Sequence, residues 1–233
     1  MLDAHTHILP AVDDGSKSIE ESLAMLRAEA AQGTDAVILT PHFYADRESP
    51  DRFLRRREMA MEKLDAALAG DPSLPACFSG AEVAFFTGMS RTDAMGALCI
   101  ADTQALLVEM PFCRWNESML KELSYLQEYR GIQPVIAHVE RYMGFQPSSM
   151  VQELCENGVW IQANASFFTR WQTSRKAMHM LKKRFIHFIG SDCHGESHRP
   201  PNMGQAAAAI QKRLGDDAIR FLDYMESELL EGI

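Results

Sequence analysis

The chain has 233 residues, of which 46% are hydrophobic and 24% charged, and its formal net charge at pH 7 is −9. This composition is that of a globular protein and excludes a disordered, collagen-like or disulfide-stapled chain. Nucleic acid and anionic membrane surfaces are poor partners, because no basic surplus exists to neutralise phosphates. A single α/β barrel runs to roughly 200–250 residues, so we expect one domain over residues 1–233.

Nothing in the sequence predicts membrane insertion or export. No run approaches the roughly 20 apolar residues that span a bilayer. The first residues, Met1–His5, lack the basic and apolar regions of a signal peptide. The five cysteines are odd in number and contain no CxxC pair, which favours reduced thiols. We therefore expect a cytoplasmic protein.

Short apolar runs bounded by turn residues predict seven buried strands. In chain order they are Leu2–His7, Asp35–Thr40, Ala76–Val83, Ala105–Met110, Pro134–Val139, Trp160–Ala165 and His187–Asp192. Helical patterns lie between most of them, with capping residues at several starts and glycines at several ends. These helices are Ser18 to about Gln32, Arg52–Ala69, Asn116 to about Arg130, Ser149 to Asn157, Thr173–Lys183 and Asn202–Leu230, the last broken near Gly215.

The alternation of strand and helix predicts a parallel sheet with right-handed crossovers. At this length a closed or distorted (β/α) barrel is favoured over an open doubly wound sheet. The connection over residues 85–102 gives no clear pattern.

Histidines and single carboxylates stand at the ends of the predicted strands or in the loops that follow. They are His5, His7, Asp14, His42, Glu82, Glu109, His138, Asp192 and His194. In a (β/α) barrel the carboxyl ends of the strands converge on the face that holds the active site. A buried carboxylate is costly unless it is paired or bound to metal. Any one of these histidines alone is as well explained by a hydrogen-bonded core or surface role, but nine such residues on one rim predict a metal site.

The first motif, Asp3-x-His5-x-His7, has the period of a strand, so its three side chains are expected to share one face. His5 and His7 can then grip one ion while Asp3 orients them. Imidazole and carboxylate ligands without thiolate suit Mn²⁺, Fe or Zn²⁺, leave Mg²⁺ open, and disfavour a structural zinc site. Nine ligands exceed the need of one ion, so we expect two or three ions per chain. His179 and His187 are expected outside the site, and the role of His198 is left open.

Two arginines, Arg141 and Arg199, also reach the predicted rim. Guanidinium groups recognise phosphate through paired hydrogen bonds. Bound cations together with these arginines would make a positive hole in an acidic protein, which favours an anionic substrate. Either arginine taken alone could equally be a surface residue.

Aromatic residues are also frequent in the predicted rim loops. They are Phe43, Tyr44, Phe85, Phe86, Phe112, Trp115, Phe167, Phe168 and Trp171. Two interpretations stay open: they flank an aromatic phosphoester, or they only cover the mouth of the barrel.

At these residues the sequence resembles the polymerase-and-histidinol-phosphatase (PHP) superfamily of metal-dependent phosphoesterases. More narrowly, it resembles the bacterial manganese-dependent tyrosine-protein phosphatases of capsular and exopolysaccharide clusters. The matching stretches are residues 3–10, 12–15, 40–42, 80–82, 108–109, 137–141, 191–194 and 199–201. They follow the family order over nearly the whole chain, and no ligand position is missing.

The resemblance implies a distorted (β/α)7 TIM-like barrel and a role for each site residue. His5, His7, Glu82 and Asp192 would hold a first ion; Glu82 would bridge to a second, completed by Glu109 and His138; Asp14, His42 and His194 would hold a third. Arg141 and Arg199 would bind the phosphoryl oxygens, with His42 or His194 able to serve as a proton donor. The resemblance further implies Mn²⁺ as the metal. It also implies a cytoplasmic enzyme acting on phosphotyrosine in an autophosphorylating kinase that controls polysaccharide export.

Three other readings compete with this one. The chain could be a PHP phosphoesterase for a small ester such as histidinol phosphate. It could be a non-catalytic metal-stabilised module, although such a role needs only a subset of these ligands. It could be a cysteine-dependent tyrosine phosphatase, because Cys193 and Arg199 have the bare C-x5-R spacing.

Overall fold

The computed structural model of the chain describes residues 1–101 and 103–231. Its strands are β1 (Leu2–Thr6), β2 (Ala36–Leu39), β3 (His42–Phe43), β4 (Ala76–Ser79), β5 (Glu82–Ala84), β6 (Ala105–Glu109), β7 (Gln133–Ile136), β8 (Trp160–Asn164) and β9 (Phe188–Gly190). Its helices are α1 (Ile19–Ala30), α2 (Pro50–Leu68), α3 (Glu117–Arg130), α4 (Met150–Glu156), α5 (Ala165–Thr169), α6 (Ser174–Lys182), α7 (Met203–Leu214) and α8 (Asp216–Leu230). The last two residues of the predicted domain, and the last residue of the 85–102 connection, lie outside the described residues.

All the strand pairs are parallel, and they curl into a distorted barrel. One sheet has the order β1-β2-β4 and the other the order β3-β5-β6-β7-β8-β9. Most of the strands have buried residues on both faces, which explains why they are recognisable as short continuous apolar runs, whereas β4 is only partly buried. The prediction of an α/β fold with a distorted barrel is confirmed.

The prediction of seven uninterrupted strands is wrong at two places. The strand predicted over Asp35–Thr40 ends at Leu39 and resumes after Pro41 as β3, because proline has no N–H to donate to a ladder. The strand predicted over Ala76–Val83 breaks between β4 and β5, where the Gly80 carbonyl accepts from Arg57 Nη1 at 2.9 Å. Since β2 pairs with β4 and β3 with β5, each broken strand still occupies one position around the barrel.

Helix ends follow local capping chemistry. Ser18 accepts a hydrogen bond from the amide of Glu21 at the start of α1, and Asn116 accepts from the amide of Met119 at the start of α3. The helix predicted over Asn202–Leu230 breaks at Gly215 into α7 and α8, as expected. Helix α5 was not predicted, because its residues prolong the apolar run of β8. The unclear connection after residue 85 contains short 3-10 helices at Met89–Arg91 and Asp93–Leu98.

The amino end of the barrel is closed by apolar packing, and the carboxyl end carries the polar residues. Along β6, Ala105 and Leu107 share a face with Glu109, because side chains alternate along a strand. Ala105 and Leu107 belong to a buried apolar group that includes Met225 and Leu229 of α8. Helix α8 therefore covers the end of the barrel opposite the candidate ligands. In the described parts of the chain, no helix has both the length and the apolar character required to cross a membrane.

The barrel closes where β1 meets the segment that follows β9. The amide of Asp192 donates to the carbonyl of His5 at 2.8 Å, and the amide of His7 donates to the carbonyl of Cys193 at 3.0 Å. Asp3 Oδ1 reinforces this seam by accepting from the amides of Ser191 and His5. These hydrogen bonds place Asp192 next to His5 and His7. Candidate ligands from the two ends of the chain are thus brought together.

Replacing Gly190 by alanine should destabilise the protein at this seam. A Cβ at Gly190 would lie 2.5 Å from His5 Cβ and 2.9 Å from the His5 amide nitrogen, so β1 or β9 must shift. We expect a loss of about 1–3 kcal/mol in the free energy of unfolding, the usual cost of overpacking. Urea denaturation should show a lower midpoint for Gly190→Ala. The control, Gly96→Ala, adds its Cβ to open space and should change the midpoint little; equal midpoints for both variants would contradict the role given to the seam.

Candidate metal and phosphate site

The structure brings all nine sequence-predicted ligands to the carboxyl end of the barrel. Glu82 lies at the centre of the group and is fully buried. Its carboxylate oxygens lie 2.8 Å from His138 Nε2 and 2.8 Å from His42 Nδ1. They also lie 3.3 Å from His5 Nε2 and 3.4 Å from His7 Nε2. One carboxylate therefore faces four imidazoles that come from three different parts of the chain.

The remaining candidates stand on either side of this centre. Asp192 Oδ1 lies 3.4 Å from His7 Nε2, and Glu109 Oε1 lies 3.4 Å from His138 Nε2. On the solvent side, the exposed Asp14 lies 3.5 Å from both His42 Nε2 and His194 Nε2. The resulting arrangement is a chain of overlapping groups, and neighbouring groups share a histidine or Glu82.

The spacing of these atoms matches the coordination sphere of a transition metal. Nitrogen and oxygen ligands bound at about 2.0–2.2 Å lie about 3–3.5 Å from one another around one ion. His5 Nε2 and His7 Nε2 are 3.1 Å apart, and both lie within 3.4 Å of Glu82 Oε2. The residues present therefore fit divalent cations by their chemistry and by their spacing.

Hydrogen bonds to the opposite ring nitrogens fix how His5, His7 and His194 face this group. His5 Nδ1 lies 3.3 Å from Gln162 Oε1, and His7 Nδ1 lies 2.7 Å from Asp13 Oδ2. His194 Nδ1 lies 3.0 Å from the Asp192 carbonyl. Each of these partners is an acceptor, so each Nδ1 carries a hydrogen, and in the neutral ring each Nε2 keeps a lone pair, as metal-binding histidines do. The lone pairs of His5 and His7 then face each other, an arrangement that a cation between them makes favourable.

Two of the residues that orient these rings were not singled out from the sequence. Asp13 holds His7, and the same Oδ2 accepts from the amide of His42 at 2.9 Å. Its other oxygen accepts from the amide of Gly15, where any Cβ would lie 2.0 Å from the His7 carbonyl oxygen. Glycine is thus required at position 15 by this close approach. The sequence shows Asp13 beside Asp14 in a short polar loop. It does not reveal that Asp13 orients His7 whereas Asp14 lies beside His42 and His194.

The second unrecognised residue is Gln162, at the centre of β8. Its Oε1 accepts from the amide of His138 at 2.5 Å in addition to contacting His5. Its Nε2 donates to Asn164 Oδ1 at 3.1 Å, and Asn164 Nδ2 donates to Asp192 Oδ2 at 2.9 Å. This amide chain joins two of the candidate ligands through neutral groups. Polar residues at alternate positions of a buried strand were the signal that could have revealed it.

Asp3 does not orient the histidines, and that prediction is wrong. Its Oδ1 accepts from backbone amides, and its carboxylate lies beside Glu29 and Cys193 instead of the imidazoles. The pairing register of β1 with β2 shifts between Asp3 and Thr6. Such an irregularity breaks the alternation on which the shared face depended. Burial, with the neighbouring Glu29 carboxylate, raises the pKa of Asp3 well above its usual value.

The carboxylates give the site an excess of negative charge, which favours the binding of cations. Burial by itself would lower the pKa of His138, yet the Glu109 and Glu82 carboxylates raise it to about 9. The pKa of His7 is likewise raised in spite of its burial, because Asp13, Asp192 and Glu82 surround it. Burial would raise the pKa of Glu82, but His5, His138 and His42 hold it well below its usual value. Without added cations, the imidazoles themselves must supply the positive charge.

Both predicted phosphate-binding arginines reach the same carboxylate. Arg141 Nη2 and Arg199 Nη2 each contact Asp192 Oδ2, and Arg199 Nη1 also lies 3.1 Å from His194 Nε2. The side chains of both arginines are about one-third exposed. Their guanidinium groups therefore stand between the buried ligands and solvent, where an incoming anion would meet them.

Several site residues adopt a backbone conformation that non-glycine residues rarely adopt. The φ angles of His138, Asp192 and Arg199 are +32°, +54° and +56°. Such left-handed conformations cost on the order of 1–3 kcal/mol each and cluster at functional sites. The surrounding hydrogen bonds thus hold these side chains in place against a local cost.

The rim aromatics differ in burial and in whether they contact the candidate ligands. Four of them are buried and support the core: Phe43, Trp115, Phe167 and Phe168. Phe85 and Phe86 pack partly buried against the same core, and Trp171 is 84% exposed. Only two rings among the described residues of this set lie against candidate ligands: Phe112 stacks on His138 with centroids 6.2 Å apart, and Tyr44 lies 5.3 Å from His42. Phe112 is 50% exposed, so its free face is open to a substrate.

The other histidines lie outside the site, as predicted for His179 and His187. His179 is exposed on α6. His187 accepts from the amide of Ile161 through Nδ1, and burial lowers its pKa to about 4. His198, whose role the sequence left open, is exposed and belongs to none of the candidate metal groups found among the described residues.

Cys193 is fully buried between two candidate ligands, but its thiol lies on the other side of the strand. The sulfur lies with the carboxylates of Asp3 and Glu29. Burial, together with these two carboxylates, raises the pKa of the thiol well above its usual value. A thiol in this environment is a poor nucleophile at neutral pH.

The chain is similar to a group of known proteins over nearly its whole length. The model of the family described as capsular polysaccharide synthesis, CpsB/CapC, matches residues 1–230. The tyrosine-protein phosphatase YwqE of Bacillus subtilis is 30% identical, and the match covers 99% of this chain and 90% of that protein. The tyrosine-protein phosphatase CpsB of Streptococcus pneumoniae is 29% identical, over 92% of this chain and 91% of that protein.

A solved structure supports the same relationship. It comes from crystal structures of YwqE from Bacillus subtilis and CpsB from Streptococcus pneumoniae, described as unique metal-dependent tyrosine phosphatases. It superimposes with a TM-score of 0.86 at 26% identity, and the match covers 100% of this chain and 96% of that one.

The position of Cys193 predicts that the protein does not use a thiolate. Cys193→Ser should keep most of the phosphatase activity, because the side chain lies away from the candidate ligands. Iodoacetamide should modify the exposed Cys113 and leave Cys193 unmodified, as peptide mass mapping can show. The control is Cys113→Ser under the same treatment. A Cys193→Ser protein with normal metal content and no activity would be the outcome that restores the cysteine-dependent mechanism.

Proposed function

The chain belongs to the capsular polysaccharide synthesis CpsB/CapC family, and we propose that it is a metal-dependent tyrosine-protein phosphatase, a phosphoric monoester hydrolase. The observation that carries this proposal is the convergence of nine imidazole and carboxylate groups, beside two arginines, at one end of the barrel. The related proteins are tyrosine-protein phosphatases and share this fold. We propose that the enzyme is a single domain comprising residues 1–233.

We propose that the site holds two or three Mn²⁺ ions. His5, His7, Glu82 and Asp192 would hold the first, Glu82, Glu109 and His138 the second, and Asp14, His42 and His194 the third. The overlapping contacts of Glu82 support its role as the bridge. When bound, such ions activate water as a nucleophile near neutral pH and stabilise charge on phosphoryl oxygens. Fe, Zn²⁺ and Mg²⁺ accept much of the same ligand set, so the identity of the metal is a matter for elemental analysis.

The protein's own residues supply binding and alignment. Arg141 and Arg199 would exchange part of their contact with Asp192 for the equatorial oxygens of the phosphoryl group, where negative charge accumulates during transfer. Gln162 and Asp13 keep the rings of His5 and His7 fixed while this happens.

Proton donation to the leaving group is a smaller requirement here than for an alkyl ester. Tyrosine has an ordinary pKa of about 10, so its phenolate departs without a strong acid. Burial, with His7 and Arg199 nearby, lowers the pKa of His194 to about 4. His194 is therefore neutral at pH 7, which suits a metal ligand better than a proton donor. His42 is left as the donor only while it is not bound to the third ion.

An aromatic phosphoester fits the surroundings of the site better than a small alkyl phosphate. Phe112 and Tyr44 present ring surface beside His138 and His42, on which a tyrosine ring can pack. The alternative is a small alkyl ester such as histidinol phosphate, whose imidazole offers less ring surface to Phe112 than a phenol does. The ratio of kcat/KM for a phosphotyrosine peptide to kcat/KM for histidinol phosphate distinguishes the two, and a ratio below one would favour the alternative.

We further propose that the phosphotyrosine belongs to an autophosphorylating tyrosine kinase that controls capsular or exopolysaccharide synthesis in the cytoplasm. The support is the family's association with capsular polysaccharide synthesis and the fact that the related proteins are tyrosine-protein phosphatases. Incubating the purified enzyme with such a phosphorylated kinase and following the loss of phosphotyrosine tests this directly.

Removing metal should abolish hydrolysis of a phosphotyrosine peptide, and Mn²⁺ should restore it. Glu82→Gln should lose both bound metal and activity, because the neutral amide lacks the negative charge with which the carboxylate would hold cations. Elemental analysis gives the metal content independently of the activity. His179→Ala is the matched control and should keep both. Full turnover by protein shown to be metal-free would falsify the proposal.

The arginines should give a different signature. Arg141→Ala and Arg199→Ala should retain their metal but lose transition-state stabilisation on the order of 2–4 kcal/mol, or 10²–10³-fold in kcat/KM. Metal content and kcat/KM are measured on the same preparations. If both variants turn over substrate like the parent protein, the phosphoryl group is held by the metals alone.

A further inference from the structure

A cavity of about 420 Å³ adjoins the two phosphate-binding arginines. Arg141, Arg199 and Arg170 all line its wall. The cavity is much larger than a phosphoryl group and leaves room for another part of the substrate. Asn164, which donates to Asp192, also lines it and connects it to the candidate ligands.

The charge of this cavity is opposite to that of the protein. The protein carries a net charge of −9, yet the charged side chains of the cavity wall are three arginines and Glu140. Arg141 and Arg199 both contact Asp192. Within residues 1–101 and 103–231, the Arg170 guanidinium makes no ion pair or hydrogen bond. It is therefore the cation of this wall that is available to a ligand.

The backbone that carries Arg170 is well anchored. The Arg170 amide donates to the Ser166 carbonyl, and the Arg170 carbonyl accepts from the amides of Thr173 and Ser174. The hydroxyl of Thr173 also donates to the Phe167 carbonyl at 2.9 Å. The connection between α5 and α6 is thus fixed to α5 by hydrogen bonds, and the guanidinium can meet a ligand without the cost of ordering a loop.

We propose that Arg170 binds a carboxylate side chain that flanks the phosphotyrosine in the substrate polypeptide, so that the enzyme prefers phosphotyrosine in acidic sequence. This inference rests on the proposed function and adds a specificity-determining residue to it. While Arg141 and Arg199 hold the phosphoryl oxygens, a neighbouring Glu or Asp reaches the same cavity and pairs with Arg170. The interaction acts on peptide binding, and the chemical step is left as it is.

The test compares phosphotyrosine peptides that carry Glu or Gln on the amino side, the carboxyl side or both sides of the phosphotyrosine. We expect the parent enzyme to prefer a Glu peptide by about three- to fivefold in kcat/KM, the size typical of a partly exposed ion pair. The difference should lie in KM, with kcat unchanged, and should shrink at high ionic strength. Arg170→Glu should reverse the preference, and Arg170→Ala should remove it.

Arg175→Glu is the matched control, because Arg175 is exposed on α6 and is not among the cavity-lining residues. It changes the net charge by the same amount and should keep the preference. All variants should hydrolyse p-nitrophenyl phosphate at the parent rate, which shows that metal and phosphoryl binding are intact.

Any of three results with the peptides would overturn the inference: no Glu preference in the parent enzyme, an unchanged preference in Arg170→Glu, or an equal loss in Arg175→Glu. A loss of p-nitrophenyl phosphate turnover in Arg170→Glu would instead give Arg170 a role in the catalytic site, also against the inference. Failure of the proposed function is distinguishable, because the parent enzyme would then hydrolyse none of the phosphotyrosine peptides.

Discussion

The site depends first on the closing of the barrel, where β1 meets the segment after β9. His5 enters the site from β1 and His7 from the residues just after it, and Asp192 enters from the segment that follows β9. Two backbone hydrogen bonds, Asp192 to His5 and His7 to Cys193, bring these distant parts of the sequence to within metal-binding distance. The ligands are therefore assembled only when the whole barrel has formed. Local helix and strand formation alone would leave the two halves of the site apart.

This dependence also works in the opposite direction. Three buried or partly buried carboxylates and five imidazoles at the end of a barrel are unfavourable for folding unless their charges are balanced. The structure balances them in part by raising the pKa values of His7 and His138 and by placing Arg141 and Arg199 beside Asp192. Cations that bind only to the folded barrel would stabilise it by mass action. Stability and metal binding are thus coupled in this protein.

Much of the architecture and most of the site follow from the sequence. The candidate ligands were recognisable because a charged or imidazole side chain at the end of an apolar strand run has few structural explanations. Capping residues such as Ser18 and Asn116 marked helix starts because their side chains satisfy free amides locally. These are short-range signals. They depend on a few neighbouring residues and do not require knowledge of the tertiary contacts.

The features that the sequence did not reveal depend on contacts between distant segments. The irregular register of β1 turned Asp3 away from His5, and only the pairing with β2 determines that irregularity. Asp13 and Gln162 hold the imidazoles, but an aspartate in a loop and a glutamine in a strand have many ordinary explanations. Arg170 acquires its significance only from the cavity that residues of α5, of the segment after α5 and of the Arg199 loop line together. The contacts that give these residues their roles exist only in the folded protein.

The two side-chain amides that link His5 to Asp192, those of Gln162 and Asn164, are oriented in the same direction. Each amide presents its oxygen toward His5 and its nitrogen toward Asp192, so neither can turn over without breaking bonds at both ends. Neither amide titrates, and the pair contains no exchangeable protonation state of its own. The orientation of the His5 ring is consequently supported by two side chains whose own hydrogen-bonding groups do not change with pH.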